Sequence, residues 1–173
     1  LCLASSASAQ LPAISDGGHF LATDDSLGYD EFRHLPPDAQ LQARREAENW
    51  IIESRKTLRG DESDSALGRA IDCAATAVGY CPYMAEVWTR YAEIASGLGK
   101  YEPAVTCVLH ARNALRYQRD QEVRQRNLVE LERVSALADY NVGEFLTALE
   151  SAHFVIEQTA ARWETRLLAS RCL

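Results

Sequence analysis

What this chain has little of narrows its class before any motif does. Lysine occurs twice, at Lys56 and Lys100, and methionine once, at Met84, in 173 residues. Nearly all its positive charge is therefore arginine, which reads as compositional bias before function. With nine glycines and five prolines, it is neither collagen-like nor low-complexity. No apolar run approaches the roughly 18 residues that a membrane-spanning helix requires, and no stretch alternates apolar and polar residues as a half-buried strand would. A basic surplus is also missing. The 18 basic residues face 25 acidic ones, a net charge of −7, which argues against a nucleic-acid partner, since phosphate contacts need a basic face. Five cysteines, Cys2, Cys73, Cys81, Cys107 and Cys172, include no CxxC and no Cys/His pair at zinc-ligand spacing, which disfavours a metal. What is present, 47% hydrophobic and 25% charged residues with a mean hydropathy of −0.25, is enough for one domain with its own core.

The acidity is concentrated at one end. Residues 1–32 hold Asp16, Asp24, Asp25, Asp30 and Glu31 and no Lys or Arg. Leu1-Cys2-Leu3-Ala4 followed by Ala7-Ser8-Ala9 reads as the end of an export signal, residues 1–9, running into a small-x-small cleavage site with Gln10 as the mature start. The expectation is an exported protein, periplasmic, secreted or in an organelle lumen; without that address it would be cytoplasmic. Residues 10–37, with Gly17-Gly18, Asp24-Asp25-Ser26 and Pro36-Pro37, carry no apolar period and read as an acidic extended arm.

Beyond the arm everything reads as helix. Asp38 is placed to cap a helix running to about Arg59, with Leu41, Ala47, Trp50, Ile51 and Leu58 as its apolar stripe. Further helices follow over about 65–80, 83–98, 102–126, 127–141, 144–158 and 160–172, punctuated by Gly79, Pro82, Gly97, Gly99 and Gly143. The class is all-α.

A fixed spacing then emerges. Ala85, Trp88, Tyr91, Ala92, Ala95, Gly99, Tyr101, Ala104, Val108 and Ala111 fall at offsets 1, 4, 7, 8, 11, 15, 17, 20, 24 and 27 of one unit. Ala136, Gly143, Phe145, Ala148, Ala152 and Val155 repeat offsets 8, 15, 17, 20, 24 and 27, while Ala70, Ala74 and Ala77 occupy 20, 24 and 27 of the unit before. Ala-x-x-Trp also recurs at Ala47, Ala85 and Ala160. This register resembles the tetratricopeptide repeat. The resemblance implies a right-handed α-solenoid of stacked antiparallel helix hairpins over 38–173, in which small residues at offsets 8 and 20 let two helices approach closely and each hairpin covers its neighbour. Two spacings depart from it: four extra residues in the first turn, through Asp61-Glu62-Ser63-Asp64, and ten around 117–127, most simply an extension of the helix that begins near residue 102.

The resemblance further implies a concave surface lined by offsets 2, 5, 9 and 12 of each first helix, suited to a peptide or partner helix. Those positions are Glu86, Thr89, Glu93 and Ser96, then Glu130, Arg133, Leu137 and Tyr140, with Arg90 and Arg133 able to pair with an acidic partner. Chaperone-binding members of the family clamp a terminal carboxylate with Lys and Asn at such positions, and neither is present there. Arg112, Arg116, Arg119, Arg124 and Arg126 form a basic ridge that could meet an anionic surface or the acidic arm itself. His19, His34, His110 and His153 are scattered, and Glu53-Ser54 matches the acid motif of helical lytic transglycosylases in those two residues only, with no Gly-Leu-Met-Gln after it. No catalytic constellation and no cofactor site is read. Cys73, Cys81 and Cys107 would supply a disulfide in an exported protein; Cys73 and Cys107 both stand at offset 23 on helices packing about 8–10 Å apart, slightly beyond usual reach. Otherwise they are small buried apolar residues. The expected function is a non-catalytic scaffold that holds a partner protein or peptide. The alternative is a structural subunit of a larger complex, membrane-associated or not, anchored by its arm or by the apolar final helix with Trp163, Leu167, Leu168, Cys172 and Leu173.

Overall fold

The computed structural model describes residues 34–58, 63–159 and 163–172. The export segment at 1–9 and most of the acidic arm lie outside these residues. Among those described there are seven helices and no strand: α1 Pro37–Thr57, α2 Asp64–Tyr80, α3 Ala85–Gly97, α4 Tyr101–Leu115, α5 Gln121–Val142, α6 Phe145–Gln158 and α7 Trp163–Cys172. None is long and apolar enough to cross a membrane.

Local chemistry accounts for the boundaries. The first helix begins one residue before the expected cap, with Pro37 in its first turn: proline's fixed φ suits that position, and its missing N–H has no partner to lose. Asp38 stands inside the first turn, where the helix dipole favours negative charge. Ser63 caps α2, its hydroxyl oxygen accepting from the Ala66 N–H at 3.2 Å. The ten extra residues do not extend the fourth helix. It stops at Leu115, and Asp120 caps a new helix by accepting from the Glu122 and Val123 N–H groups at 3.0 and 3.1 Å. The insertion therefore lengthens α5 at its N-terminus to 22 residues, against 13 in α3.

Two turns share one device. Gly99 and Gly143, both at offset 15, adopt φ of +71° and +90°, and the next residue's N–H reaches back five residues, Lys100 to the Ala95 oxygen and Glu144 to the Asp139 oxygen, each at 2.9 Å. Only a residue without Cβ enters that left-handed conformation without strain, and the resulting bond satisfies a helix-end carbonyl. This fixes where α4 and α6 start.

The small residues lie where the repeat register requires them. Ala92 and Ala136 at offset 8, and Ala70, Ala104 and Ala148 at offset 20, are all fully buried. The first unit uses Ser54 at offset 8, also fully buried. α1 packs on α2, α3 on α4 and α5 on α6 as antiparallel hairpins, while α2 packs on α3, α4 on α5 and α6 on α7. First helices also meet across units: α1 with α3, α3 with α5 and α5 with α7. No second helix approaches another as closely as α3 approaches α5, so the first helices form the inner row of an α-solenoid.

Trp88 locks the central hairpin. Its indole N–H donates to the Pro82 carbonyl at 2.7 Å, and its ring stacks on His110 with centroids 4.4 Å apart. The third unit fills the same places differently. Trp88, Tyr91 and Ala95 at offsets 4, 7 and 11 correspond to Glu132, Ser135 and Asp139. Arg112 of α4 reaches Glu132 through Nε and Nη2 at 3.2 and 3.0 Å and the Ser135 hydroxyl at 3.0 Å. The Ser151 hydroxyl donates to Glu132 at 2.6 Å and that of Ser135 to Asp139 at 2.7 Å. An interhelical polar network thus replaces aromatic filling between the second and third hairpins.

Cys73, Cys81, Cys107 and Cys172 are free thiols. Burial pushes the Cys107 thiol up to about 12, so it behaves as a small apolar side chain, and the disulfide is not formed among the described residues. In α7, Leu168 packs against the buried Ala136, Ala152 and Ala169, whereas Leu167 is exposed.

Two substitutions test this packing. Ala104→Leu should lower stability by ~1–3 kcal/mol through overpacking, whereas the exposed Leu109→Ala should stay within about 0.5 kcal/mol. Denaturant unfolding followed by circular dichroism distinguishes them.

Candidate partner-binding groove

Because α1, α3 and α5 run parallel, offset 9 of one first helix lies beside offsets 2 to 5 of the next. Arg55 of α1 pairs with Glu86 of α3 at 2.9 Å. Glu93 of α3 meets Arg133 of α5 at 2.8 Å, and Arg133 also pairs with Glu130 at 2.7 Å. Arg90 binds Glu93 and lies 3.4 Å from the Ser54 hydroxyl, so it bridges α3 to α1. The inner face is thus a ladder of three arginines and three glutamates, with its formal charges cancelled.

Five of the expected groove residues, Glu86, Thr89, Arg90, Glu93 and Glu130, line one depression together with Arg55 and Asn127. It encloses about 30 Å³, room for little more than a water molecule. The Thr89 hydroxyl is committed to the Ala85 carbonyl at 2.8 Å, so this residue offers shape and not a free donor. Arg133 closes the ladder beside the depression. Leu137 and Tyr140 lie outside it, farther along α5: Leu137 is exposed, and the Tyr140 ring meets Phe145 edge-on at 5.4 Å. The inner face therefore passes from charged at α1 and α3 to apolar toward the end of α5. The Ser96 hydroxyl is buried with no hydrogen-bond partner.

Sequence reasoning overlooked three members of this face. Arg55 stands at offset 9 and Ser54 at offset 8 of the first unit, so applying the offsets to that unit would have found both. Asn127 belongs to the inserted stretch and bonds the Gln118 side chain at 3.1 Å; no repeat position marks it. The basic ridge needs one correction. Arg112 is a half-buried brace to Glu132 and Ser135, while Arg116 and Arg119 are exposed at the turn between α4 and α5.

Electrostatics follow from these pairings. Burial alone would raise the Glu93 carboxyl, but the charges and hydrogen bonds of Arg90 and Arg133 outweigh it and hold the group below the ordinary glutamate range. Asp139 moves the other way: burial dominates and, with Glu132 and Glu144, raises its carboxyl against the Ser135 hydrogen bond and the Arg112 charge. Among the described residues no group of three His, Cys, Asp or Glu is gathered as a metal ligand set.

The stacked hairpins, the parallel inner helices and the glycine-closed turns at one repeat offset define a tetratricopeptide-repeat-like α-solenoid. No known family profile matches this chain, and no curated protein matches it in sequence. Among solved structures it is similar to the first TPR of Spaghetti (RPAP3) bound to the HSP90 peptide SRMEEVD, at 16% identity, covering 75% of this chain and 91% of that one with a TM-score of 0.60. At that identity the likeness speaks for the fold.

Two outcomes follow. Glu93 has a folded pKa below its unfolded value, so its contribution is full above the ordinary glutamate value of about 4.3 and is lost as pH falls through the folded value. The stability gap between wild type and Glu93→Gln should therefore narrow on acidification, whereas Asp139→Asn, replacing a group raised in the fold, should gain relative to wild type as pH rises. Unfolding curves across pH 3 to pH 7, a range around that ordinary carboxylate value, check both signs. Separately, Arg112→Met should destabilise measurably by leaving Glu132 without its cation, while Arg116→Ala and Arg119→Ala should each stay within about 0.5 kcal/mol.

Proposed function

We propose that this protein is a non-catalytic interaction module that holds an extended segment of a partner protein along its inner face. The observation that carries the reading is the parallel row of α1, α3 and α5, whose exposed inner edge runs from the ion-paired ladder to Leu137 and Tyr140. A surface already formed spares the scaffold the ordering entropy of binding and leaves that cost to the partner. The ladder's arginines are each held by a glutamate, so an acidic segment would have to displace those partners before gaining a charge-assisted bond of its own. The neighbouring TPR holds a peptide ending in EEVD. This groove suits a different ligand: a segment with charges of both signs that inserts between the pairs, and an apolar side chain seated beside Leu137 and Tyr140.

Selection of peptides from a random display library against the full chain tests this. The enriched sequences should carry an apolar anchor with charges of both signs. Leu137→Arg combined with Tyr140→Ala should weaken their binding by about ten-fold or more, near 1.4 kcal/mol, with helicity retained. Leu109→Arg, on an exposed site of a second helix, should leave it unchanged, and SRMEEVD should bind more weakly than the selected peptides. Selected peptides indifferent to the inner-face substitutions would refute the groove and favour assembly through other surfaces.

A further inference from the structure

The insertion that lengthens α5 leaves its first two turns projecting beyond the end of α3, which begins at Ala85, the equivalent of Val129 in the third unit. The Gln125 side chain ties this overhang to Gln158 at the end of α6 by a 3.1 Å hydrogen bond. Between them lies an open hollow of about 530 Å³ lined by Gln121, Glu122, Gln125, Arg126, Val129 and Gln158.

Charge at this end is unbalanced. Arg116, Arg119, Arg124 and Arg126 are all exposed, and none forms an ion pair among the described residues. Their acidic neighbours are Asp120, committed to capping two N–H groups, and Glu122 in the first turn, where the helix dipole already stabilises it. The inner-face arginines are paired and these are not.

One segment of the same chain matches that surplus. The acidic arm carries Asp16, Asp24, Asp25, Asp30 and Glu31 with no Lys or Arg before Arg33, and it joins the fold at the N-terminus of α1. α1 and α5 are parallel, so this junction and the α5 overhang belong to the same end of the solenoid. One helix, α3, separates them, which sets their axes about 16–20 Å apart at ordinary packing distances. Asp24 and Asp25 precede Pro37 by 13 and 12 residues, an extended reach of about 40 Å. The arm therefore reaches both the arginines and the hollow, at the high effective concentration that a short tether gives. The charge-neutral ladder offers it no comparable attraction.

We propose that the acidic arm folds back across the end of α3 and docks, within its own chain, on Arg116, Arg119, Arg124 and Arg126 beside the hollow at the α5 overhang. The contact is electrostatic and exposed, hence reversible and sensitive to ionic strength. It does not depend on the inner face being a peptide site.

A photocrosslinking benzoylphenylalanine placed at Phe20 of the full chain reads the contact directly. Irradiation at ~20 mM salt should give crosslinks, mapped by mass spectrometry, concentrated in residues 116–129 and 158. Their yield should fall about five-fold or more at ~300 mM salt, where the screening length drops to roughly 6 Å. The variant R116Q/R119Q/R124Q/R126Q, all exposed positions with helicity verified by circular dichroism, should lose the crosslinks to a similar degree. So should neutralising the arm with D24N/D25N/D30N/E31Q. Combining R116E/R119E/R124E/R126E with D24K/D25K/D30K/E31K should restore them. Crosslinks scattered over the surface, located on the α1–α3 ladder, or unchanged by salt and by both neutralised variants would overturn the proposal. Crosslinks joining differently isotope-labelled copies would overturn it in favour of docking on a second copy.

Discussion

Close approach at side chains no larger than a methyl or hydroxymethyl is the constraint from which the rest of this structure follows. Ser54, Ala92 and Ala136 on the first helices and Ala70, Ala104 and Ala148 on the second are all fully buried. A longer side chain at any of these sites would hold the helix axes apart and lose the dispersion contacts of the larger residues beside them. Once paired this closely, two helices still leave apolar surface uncovered, and only the next hairpin hides it. Nesting within a hairpin and stacking between hairpins are therefore consequences of the same residues.

Stacking in turn dictates what the inner face can carry. Parallel first helices bring offset 9 against offsets 2 to 5 of the following unit, so like charges there would repel along the whole row. The chain meets this with opposite signs in an alternating arrangement. Arginine at offset 9 faces glutamate across the first interface, and glutamate at offset 9 faces arginine across the second. These pairs are partly exposed and individually contribute little. Their consequence lies in the surface they leave: the charges are already matched along α1 and α3, and the end of α5 carries the exposed apolar Leu137.

The fold, and with it the five expected residues that line the inner-face depression, was legible because small residues and glycines must recur at fixed offsets. Gly99 and Gly143 mark the hairpin turns through a φ that only glycine adopts freely, and the alanine register locates both helices of each pair. The placement of the insertion was not legible from periodicity. Helical spacing runs through 102–126 without a break, and only the local competition of Asp120 for two N–H groups ends one helix and starts the next. Arg112 was misplaced for a related reason. An arginine in a row of arginines looks solvated, and its role depends on Glu132 and Ser135, 20 and 23 residues away. Asn127 came from the inserted turns, where no repeat offset applies.

The polar network of the third unit shows how far a repeat tolerates replacement of its signature. Glu132, Ser135 and Asp139 occupy the places filled by Trp88, Tyr91 and Ala95 in the second unit. A carboxylate in the tryptophan site would be prohibitive alone, but Arg112 from the preceding unit and Ser151 from the following helix satisfy it. Neither partner belongs to α5, so the network forms only when α4, α5 and α6 are stacked in one register. Hydrophobic filling at the first interface tolerates approximate contact, whereas a buried carboxylate does not, since sliding α5 by one turn would strand Glu132 without its cation. We read the exchange as a trade of packing for register: the α4–α5 junction, where the insertion removes the regular spacing that aligns the other units, is the place where directional bonds are needed to set it.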